Sequence, residues 1–448
     1  MLFKTAVSIC SNYFRRPFSS ALYITNDKAQ FNFVALVPRI NFEECRKHKS
    51  ALIENIKVRK CDIDFYKVEE YWTFYESIAD QKSTLEKTKS VIKEHLQCLS
   101  KTPQTSSDEV EKLKLHLKIV KLDLLNIKDY LYEIEETAAL YYLSLPNDLN
   151  SLTPLDGEKI IHTFKDKPES ITNSHMDIAK SKKWLQNLSH GLVYLKNEAA
   201  LFELAVFDYS FDMLRKSSFV PTVNTSFTRS LIVEGCCTDY ADPTKVFTIK
   251  DDSTTINRLH IVGGATLYSF MTYFARFIVQ PSYFPVRFFT YGKQYRPIST
   301  DTTSLWNLRQ DSVVELFLLT KYEENEIQTE LKNVIDLAVK MYEALECHFK
   351  AVYLPATALK LYESLAVSFQ MYSPNLQTYV EVGRISLCGD FLSKRLMVMY
   401  SENKTTKYPC LISATLFDIP KILACVIENN SVSNIGLLDN ILKEYALV

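Results

Sequence analysis

Apolar residues recur at alternating spacings of three and four over two long stretches of the chain. Val110, Leu113, Leu117, Val120, Leu124, Ile127, Leu131 and Ile134 keep this rhythm without a break. Upstream, Val68, Tyr71, Tyr75, Ile78, Lys82, Leu85, Lys89, Ile92, Leu96 and Leu99 repeat it. Such spacing is the a/d seam of a coiled coil, in which the two lysines weaken the helix but can fix its register. KTPQTSSD (101–108) lies between the two stretches, and Pro103 with four Ser/Thr cannot continue a helix. Ser107 or Asp108 can cap the second helix, with Glu109 and Glu111 favourable in its first turn. The pattern predicts an antiparallel helical hairpin over about 64–140, within an arm spanning 35–145. At about 1.5 Å per residue, helices of about 35 residues reach roughly 50 Å. An arm that slender has no globular core of its own, so it serves for reach or for association.

From 158 to 448 the pattern changes to amphipathic helices alternating with short β-branched and aromatic strands. EAALFELAVFDYSFDMLRK (198–216) has helical apolar spacing, and Phe219-Val220-Pro221 reads as the entry to a strand. The expected class is α+β: an N-terminal antiparallel coiled-coil arm, then an antiparallel sheet domain flanked by helices.

Composition narrows the functions available. The chain has 448 residues, 47% of them hydrophobic, and a formal net charge of −1. That is enough apolar material for a large core, and any nucleic-acid surface must be local. Residues 61–80 hold six acids and one lysine. Residues 81–121 hold five acids and nine lysines: Lys82, Lys87, Lys89, Lys93, Lys101, Lys112, Lys114, Lys118 and Lys121. On composition alone the distal lysines serve equally as a phosphate-binding face or as a solvated, salt-bridged helix surface. Nine glycines, none before Gly157, argue against a glycine-rich phosphate loop. The ten cysteines are scattered without a CxxC pair, so neither a metal site nor a disulfide framework is expected.

The first 24 residues carry Lys4, Arg15, Arg16 and four serines, and no acid precedes Asp27. They read as a mitochondrial presequence, implying the matrix as destination. A secretory signal fits less well, because no long apolar run follows Lys4 and the arginine pair falls too late. No apolar run is long enough to insert in a membrane.

Four segments carry a family resemblance: YLKNEAALFELAVFDYSFDMLRKSSFVP (194–221) with SHMDI (174–178) upstream, FPVRFFTYGKQYRPISTDTTSLWNLRQDSVVELF (284–317), EVGRISLCGDFLSKRL (381–396) and SATLFDIPKILACVIENN (413–430). They resemble the signature motifs of seryl-tRNA synthetases, class II aminoacyl-tRNA synthetases with an N-terminal arm that grips serine tRNA. The hairpin sits in the matching place. It is preceded by the basic residues Arg46, Lys47, Lys49, Lys57, Arg59 and Lys60, and followed by LPNDL (145–149). The resemblance implies a class II synthetase-like domain over 158–448 and a dimer built on the 194–221 segment. It extends to an insect mitochondrial branch of the family that lacks ligase activity.

Carried over residue by residue, the resemblance implies a dismantled site. Arg296 matches the arginine that holds the ATP α-phosphate, and Glu315 and Glu381 match acids of the nucleotide and metal site. The acid expected two places after Arg296 is Ile298, a second nucleotide arginine aligns near Asn307, and the aromatic that stacks on adenine is Asp311. Thr266, in Gly264-Ala265-Thr266, stands where a glutamate contacts serine. Arg384 replaces a serine, and Gly389 a threonine that contacts the substrate. In the last motif Leu416 and Pro420 replace glycines, and Lys421 replaces the arginine on the γ-phosphate. Leu416 is expected to fill the nucleotide space, Pro420 to break or bend the following helix, and Lys421 to offer a point charge without a fork. No HExxH, GxSxG or P-loop motif occurs.

The resulting expectation is a non-catalytic, tRNA-binding protein of mitochondria, with serine tRNA as the expected species. It would support mitochondrial translation without serine activation, ATP, metal or other cofactor. A partner-binding subunit, as homodimer or as heterodimer with an active mitochondrial seryl-tRNA synthetase, is the alternative. A divergent active ligase is the third reading, which the changes at Thr266, Ile298 and Leu416 oppose.

Overall fold

The structure is a computed structural model that describes residues 20–25, 36–99, 107–189, 191–250, 256–297, 304–433 and 445. Residues 1–19, which hold most of the expected presequence, and also Lys101 and Ile298, lie outside the described residues.

Two short helices lead into the arm, α1 (Phe42–Lys47) and α2 (Lys49–Arg59). The arm itself is α3 (Phe65–Leu99) packed along α4 (Ser107–Leu143). Its seam is the one the heptads predict. Val68, Ile92, Val120, Ile127, Leu131 and Ile134 are buried, and Lys82 and Lys89 sit half-buried in the same row. Asp108 and Glu109 occupy the first turn of α4, where their charges favour the helix dipole.

The root of the arm is a small core of Phe42, Leu52, Ile56, Phe65, Val68 and Leu145. Part of the basic segment before the arm is consumed here. Arg46 pairs with Glu76 at 3.1 Å, and Lys49 with Glu69 at 2.6 Å. Arg59 is buried and donates to the carbonyls of Asn147, Lys360 and Glu363 at 2.8, 3.1 and 2.7 Å. These bonds dock the arm onto the C-terminal domain.

That domain is built on an eight-stranded sheet: β1 (Lys159–Phe164), β2 (Val220–Pro221), β3 (Val286–Tyr295), β4 (Gln310–Thr320), β5 (Phe349–Tyr353), β6 (Leu365–Ser373), β7 (Thr378–Gly389) and β8 (Cys410–Asp418). The strands lie in the order β1-β5-β6-β7-β8-β4-β3-β2. Every neighbouring pair is antiparallel except β2–β3. The flanking helices are α5 (His175–Ser181), α6 (Glu198–Lys216), α7 (Ser230–Gly235), α8 (Leu267–Phe274), α9 (Glu324–Glu343), α10 (Phe391–Leu396) and α11 (Ile419–Ser433).

Strand alternation divides the sheet into two faces. Val314, Leu316 and Leu318 of β4 enter the larger core with residues of α6, α9 and α11, whereas Phe317 and Leu319 enter a second core with α7, α8 and α10. Glu315 shares the second face and looks into a cavity beyond the end of that core. No helix among the described residues is long and apolar enough to cross a membrane.

Candidate functional site

The cavity measures about 350 Å³ and is lined by charged and hydroxyl side chains of the central strands. Arg296, just past β3, and Glu315, in β4, reach it from neighbouring strands, with Ser413 and Thr415 of β8 beside them. Glu381 and Arg384 enter from β7, Thr266 from the start of α8, and Lys421 from the first turn of α11. The resemblance assigns all of these to one site, and the sheet brings them together.

Each residue is already engaged. Arg296 faces two carboxylates, Asp311 at 3.3 Å and Asp418 at 3.7 Å. Lys421 lies 2.8 Å from the same Asp418 oxygen. The two cations expected to meet phosphates therefore share an acidic partner within the protein. Burial and the nearby Asp418 carboxylate push the Asp311 carboxyl up to about 7, with Arg296 pulling the other way. Glu315 accepts from Thr415 at 2.7 Å, and burial raises its carboxyl to about 7 as well.

The opposite wall holds a buried ion pair. Arg384 donates to the two carboxylate oxygens of Glu363 at 2.9 and 2.6 Å and to the carbonyl of Ala358 at 2.9 Å. Glu363 also takes the Ser386 hydroxyl and the Lys360 amide, both at 2.7 Å. Burial alone would raise its pKa, but the guanidinium overcomes that and holds the carboxyl below its ordinary value. Glu381 accepts from Ser368 at 2.6 Å and meets Arg384 at 3.4 Å.

Three sequence expectations need correction. Leu416 does not fill the nucleotide space. It is buried in the larger core on the other face of β8, and its carbonyl accepts from Tyr342 at 2.7 Å. Alternation along the strand sends Ser413 and Thr415 to the cavity and Leu416 away from it. Pro420 does not break a helix, because it is the second residue of α11, where its missing N–H would have had no intrahelical acceptor. Gly389, at the end of β7, lies near Tyr322 and does not line the cavity. Thr266 keeps its place at the cavity and also caps α8, its hydroxyl accepting from the Ser269 amide at 3.2 Å in a capping box.

Asp418, Glu363 and Lys360 went unnoticed in the sequence. Asp418 carried a usable signal, an acid within a segment expected to hold small residues. Glu363 and Lys360 carried none, since both lie outside any strand, in the turn before β6, and only the fold brings Glu363 to Arg384.

Of the arm lysines, Lys82, Lys87, Lys89, Lys93, Lys112, Lys114, Lys118 and Lys121 lie on α3 or α4 with their side chains partly or fully exposed. Lys112 pairs with Asp108 at 2.9 Å. Among the described residues, Lys87, Lys93, Lys114, Lys118 and Lys121 have no carboxylate within ion-pair distance, which leaves their charge available to a polyanion.

Residues 257–430 match the tRNA synthetase class II core domain (G, H, P, S and T). The chain is 29% identical over 419 residues to the serine–tRNA synthetase-like protein Slimp of Drosophila melanogaster, covering 92% of this chain and 89% of that protein. It is 23% identical over 451 residues to the mitochondrial serine–tRNA ligase of Mus musculus, covering 94% of this chain and 86% of the ligase. The fold matches that of Pyrococcus horikoshii seryl-tRNA synthetase complexed with ATP, with a TM-score of 0.76 at 15% identity over 88% of this chain and 94% of that one. The cytoplasmic serine–tRNA ligase of Naegleria fowleri, in complex with AMP, matches with a TM-score of 0.72 at 15% identity over 85% and 90% of the two chains.

Proposed function

We propose that this chain is a member of the seryl-tRNA synthetase family of class II synthetases that has given up serine activation and acts in mitochondria as a tRNA-binding protein. The observation that carries the reading is Asp418 set between Arg296 and Lys421. ATP would bring its phosphates to those two cations. They meet carboxylates instead, and a phosphate approaching them would also meet Asp418, which lines the cavity. The residues present do not fit the nucleotide or its magnesium, so no catalytic step runs through them. Thr266 offers no carboxylate for a serine ammonium, and Arg384 at the cavity is already held by the buried Glu363.

The exposed arm lysines support RNA as the ligand, with serine tRNA the species the family relationship favours. Binding through phosphates releases counterions, so affinity should fall steeply with salt. The basic, acid-poor leader and the mitochondrial ligase among the relatives support a mitochondrial location, in the matrix where translation occurs.

A partner-binding role is supported by a separate observation. Leu204 of α6, Val220 of β2, Val223 and Tyr291 of β3 are all exposed around the free edge at β2. A second copy of this chain, or an active seryl-tRNA ligase, could cover that surface. The two readings are compatible, since a dimer would join two RNA-binding arms and raise affinity through effective concentration.

The deciding experiment is serine-dependent ATP–pyrophosphate exchange run alongside RNA gel-shift at rising salt, on the same purified protein. Background exchange with salt-sensitive shift of serine tRNA is expected. Clear exchange turnover would overturn the loss of catalysis, and absence of any shift at low salt would overturn RNA binding.

A further inference from the structure

Residues Ser20–Thr25 touch two parts of the molecule at once. On the body side, Glu234 of α7 takes the Ser20 hydroxyl at 2.6 Å and the amides of Ala21 and Leu22 at 2.6 and 3.0 Å. Ala21 and Leu22 are fully buried, Leu22 in the core that also holds Ile232, Phe270 and Leu396. On the arm side, the Tyr23 hydroxyl donates to Glu135 at 2.7 Å. The Thr25 amide and hydroxyl both donate to Glu136 at 2.8 Å. Glu135 and Glu136 belong to the root of α4. This short segment thus links the arm to the sheet domain, independently of the chain that connects them.

Glu234 is half-buried, and the three groups that bond it here are uncharged. Arg395 lies nearby, but its guanidinium donates to the carbonyls of Gly235, Leu143 and Glu234 and not to the carboxylate. A buried carboxylate gains most from a cation placed directly on it. A chain beginning at Ala21 would supply one in place, because the Ala21 nitrogen is already 2.6 Å from a Glu234 oxygen, in exchange for the Ser20 hydroxyl's bonds to Glu234 and to the Leu22 and Tyr23 amides. Cleavage farther on would do the reverse. It would remove Leu22 from its core and strip the half-buried Glu234 of these partners, at a cost in both cavity and lost hydrogen bonds.

We propose that Ala21–Thr25 is retained in the mature protein as a strap fixing the arm to the body, and that leader removal ends at or just upstream of the Ser20–Ala21 bond, a cut at that bond itself placing the new α-ammonium on Glu234. The composition of the first 24 residues suggests a later end. The cleavage part rests on the mitochondrial location; the strap part does not. In the processing step, hydrolysis breaks one peptide bond and water supplies the new ammonium and carboxylate termini.

Two measurements test it. Terminal-peptide mass spectrometry of the protein isolated from mitochondria should find Ser19, Ser20 or Ala21 first. A first residue at Leu22 or beyond would overturn the proposal. Retention of Met1 would overturn the cleavage part together with the leader reading, leaving RNA binding unaffected. The strap is decided on full-length protein by hydrogen exchange in residues 131–143. The double variant Y23F/T25V, which cuts only the arm-side bonds, should speed exchange there at least tenfold, and E234A should do the same while lowering the melting temperature. Unchanged exchange in both variants would overturn the strap.

Discussion

Arg384 forks onto Glu363 from the adjacent strand region, with both carboxylate oxygens engaged at 2.9 and 2.6 Å and the acid wholly out of solvent. A guanidinium and a carboxylate matched in this way form a strong, directional contact. Removing either partner leaves the other buried and uncompensated. Arg384→Ala is therefore expected to destabilise the fold by about 3–5 kcal/mol in denaturant unfolding. A loss below about 1 kcal/mol would mean that the pair does not hold this wall.

Asp311 and Asp418 stand against Arg296, and Asp418 also against Lys421. Replacing both with asparagine removes the two acidic partners and leaves Arg296 and Lys421 uncompensated. The variant D311N/D418N should bind ATP detectably by calorimetry where the parent protein does not. Serine-dependent exchange should stay at background, because Thr266 still supplies no carboxylate. If the variant binds no nucleotide, steric closure and not charge accounts for the loss.

Stability should depend on pH through the same wall. The Asp311 and Glu315 carboxyls are both raised to about 7. In an unfolded chain such groups titrate near about 4, so folding takes up protons between those limits. Their contribution is fully present below about pH 4 and is lost as pH rises through about 7. Glu363, held low by Arg384, works in the opposite direction at acid pH. The comparison is therefore between parent and E315Q melting temperatures from about pH 5 to 8, the span in which the raised carboxyls ionise. The parent should lose more over that range; parallel curves would show that Glu315 does not titrate there.

The arm can be tested by charge alone. Lys87, Lys93, Lys114 and Lys118 are exposed, and the helices that carry them are held by an apolar seam on the other side. Reversing all four to glutamate should leave helicity by circular dichroism unchanged. It should weaken serine tRNA binding by on the order of tenfold or more, with a salt slope shallower by roughly 0.9 for each phosphate no longer neutralised. Equal affinity and slope would remove the arm from the binding surface.

The hairpin was legible because its information is local. A seam repeated every three or four residues identifies a coiled coil wherever the rest of the chain goes, and the structure places helices at Phe65–Leu99 and Ser107–Leu143 along that seam. Arg296, Glu315 and Glu381 were legible through motifs contiguous in the chain. What those residues touch was not. Asp418 meets Arg296 because β4 lies between β3 and β8, and Glu363 meets Arg384 because the turn before β6 comes against β7. Leu416 teaches the same lesson from the other side, since its neighbour Thr415 faces the cavity while it faces the core.

The amino-acid sequence by itself determined the arm, the family resemblance and the residue types at its motif positions, because spacing and residue type are properties of the chain. Only the tertiary structure decided that the surviving cations are neutralised from within, and that Ser20–Thr25 ties the arm to the body. Both depend on groups remote in sequence whose distances are set by strand register and domain packing, and charge acts across those distances rather than along the chain.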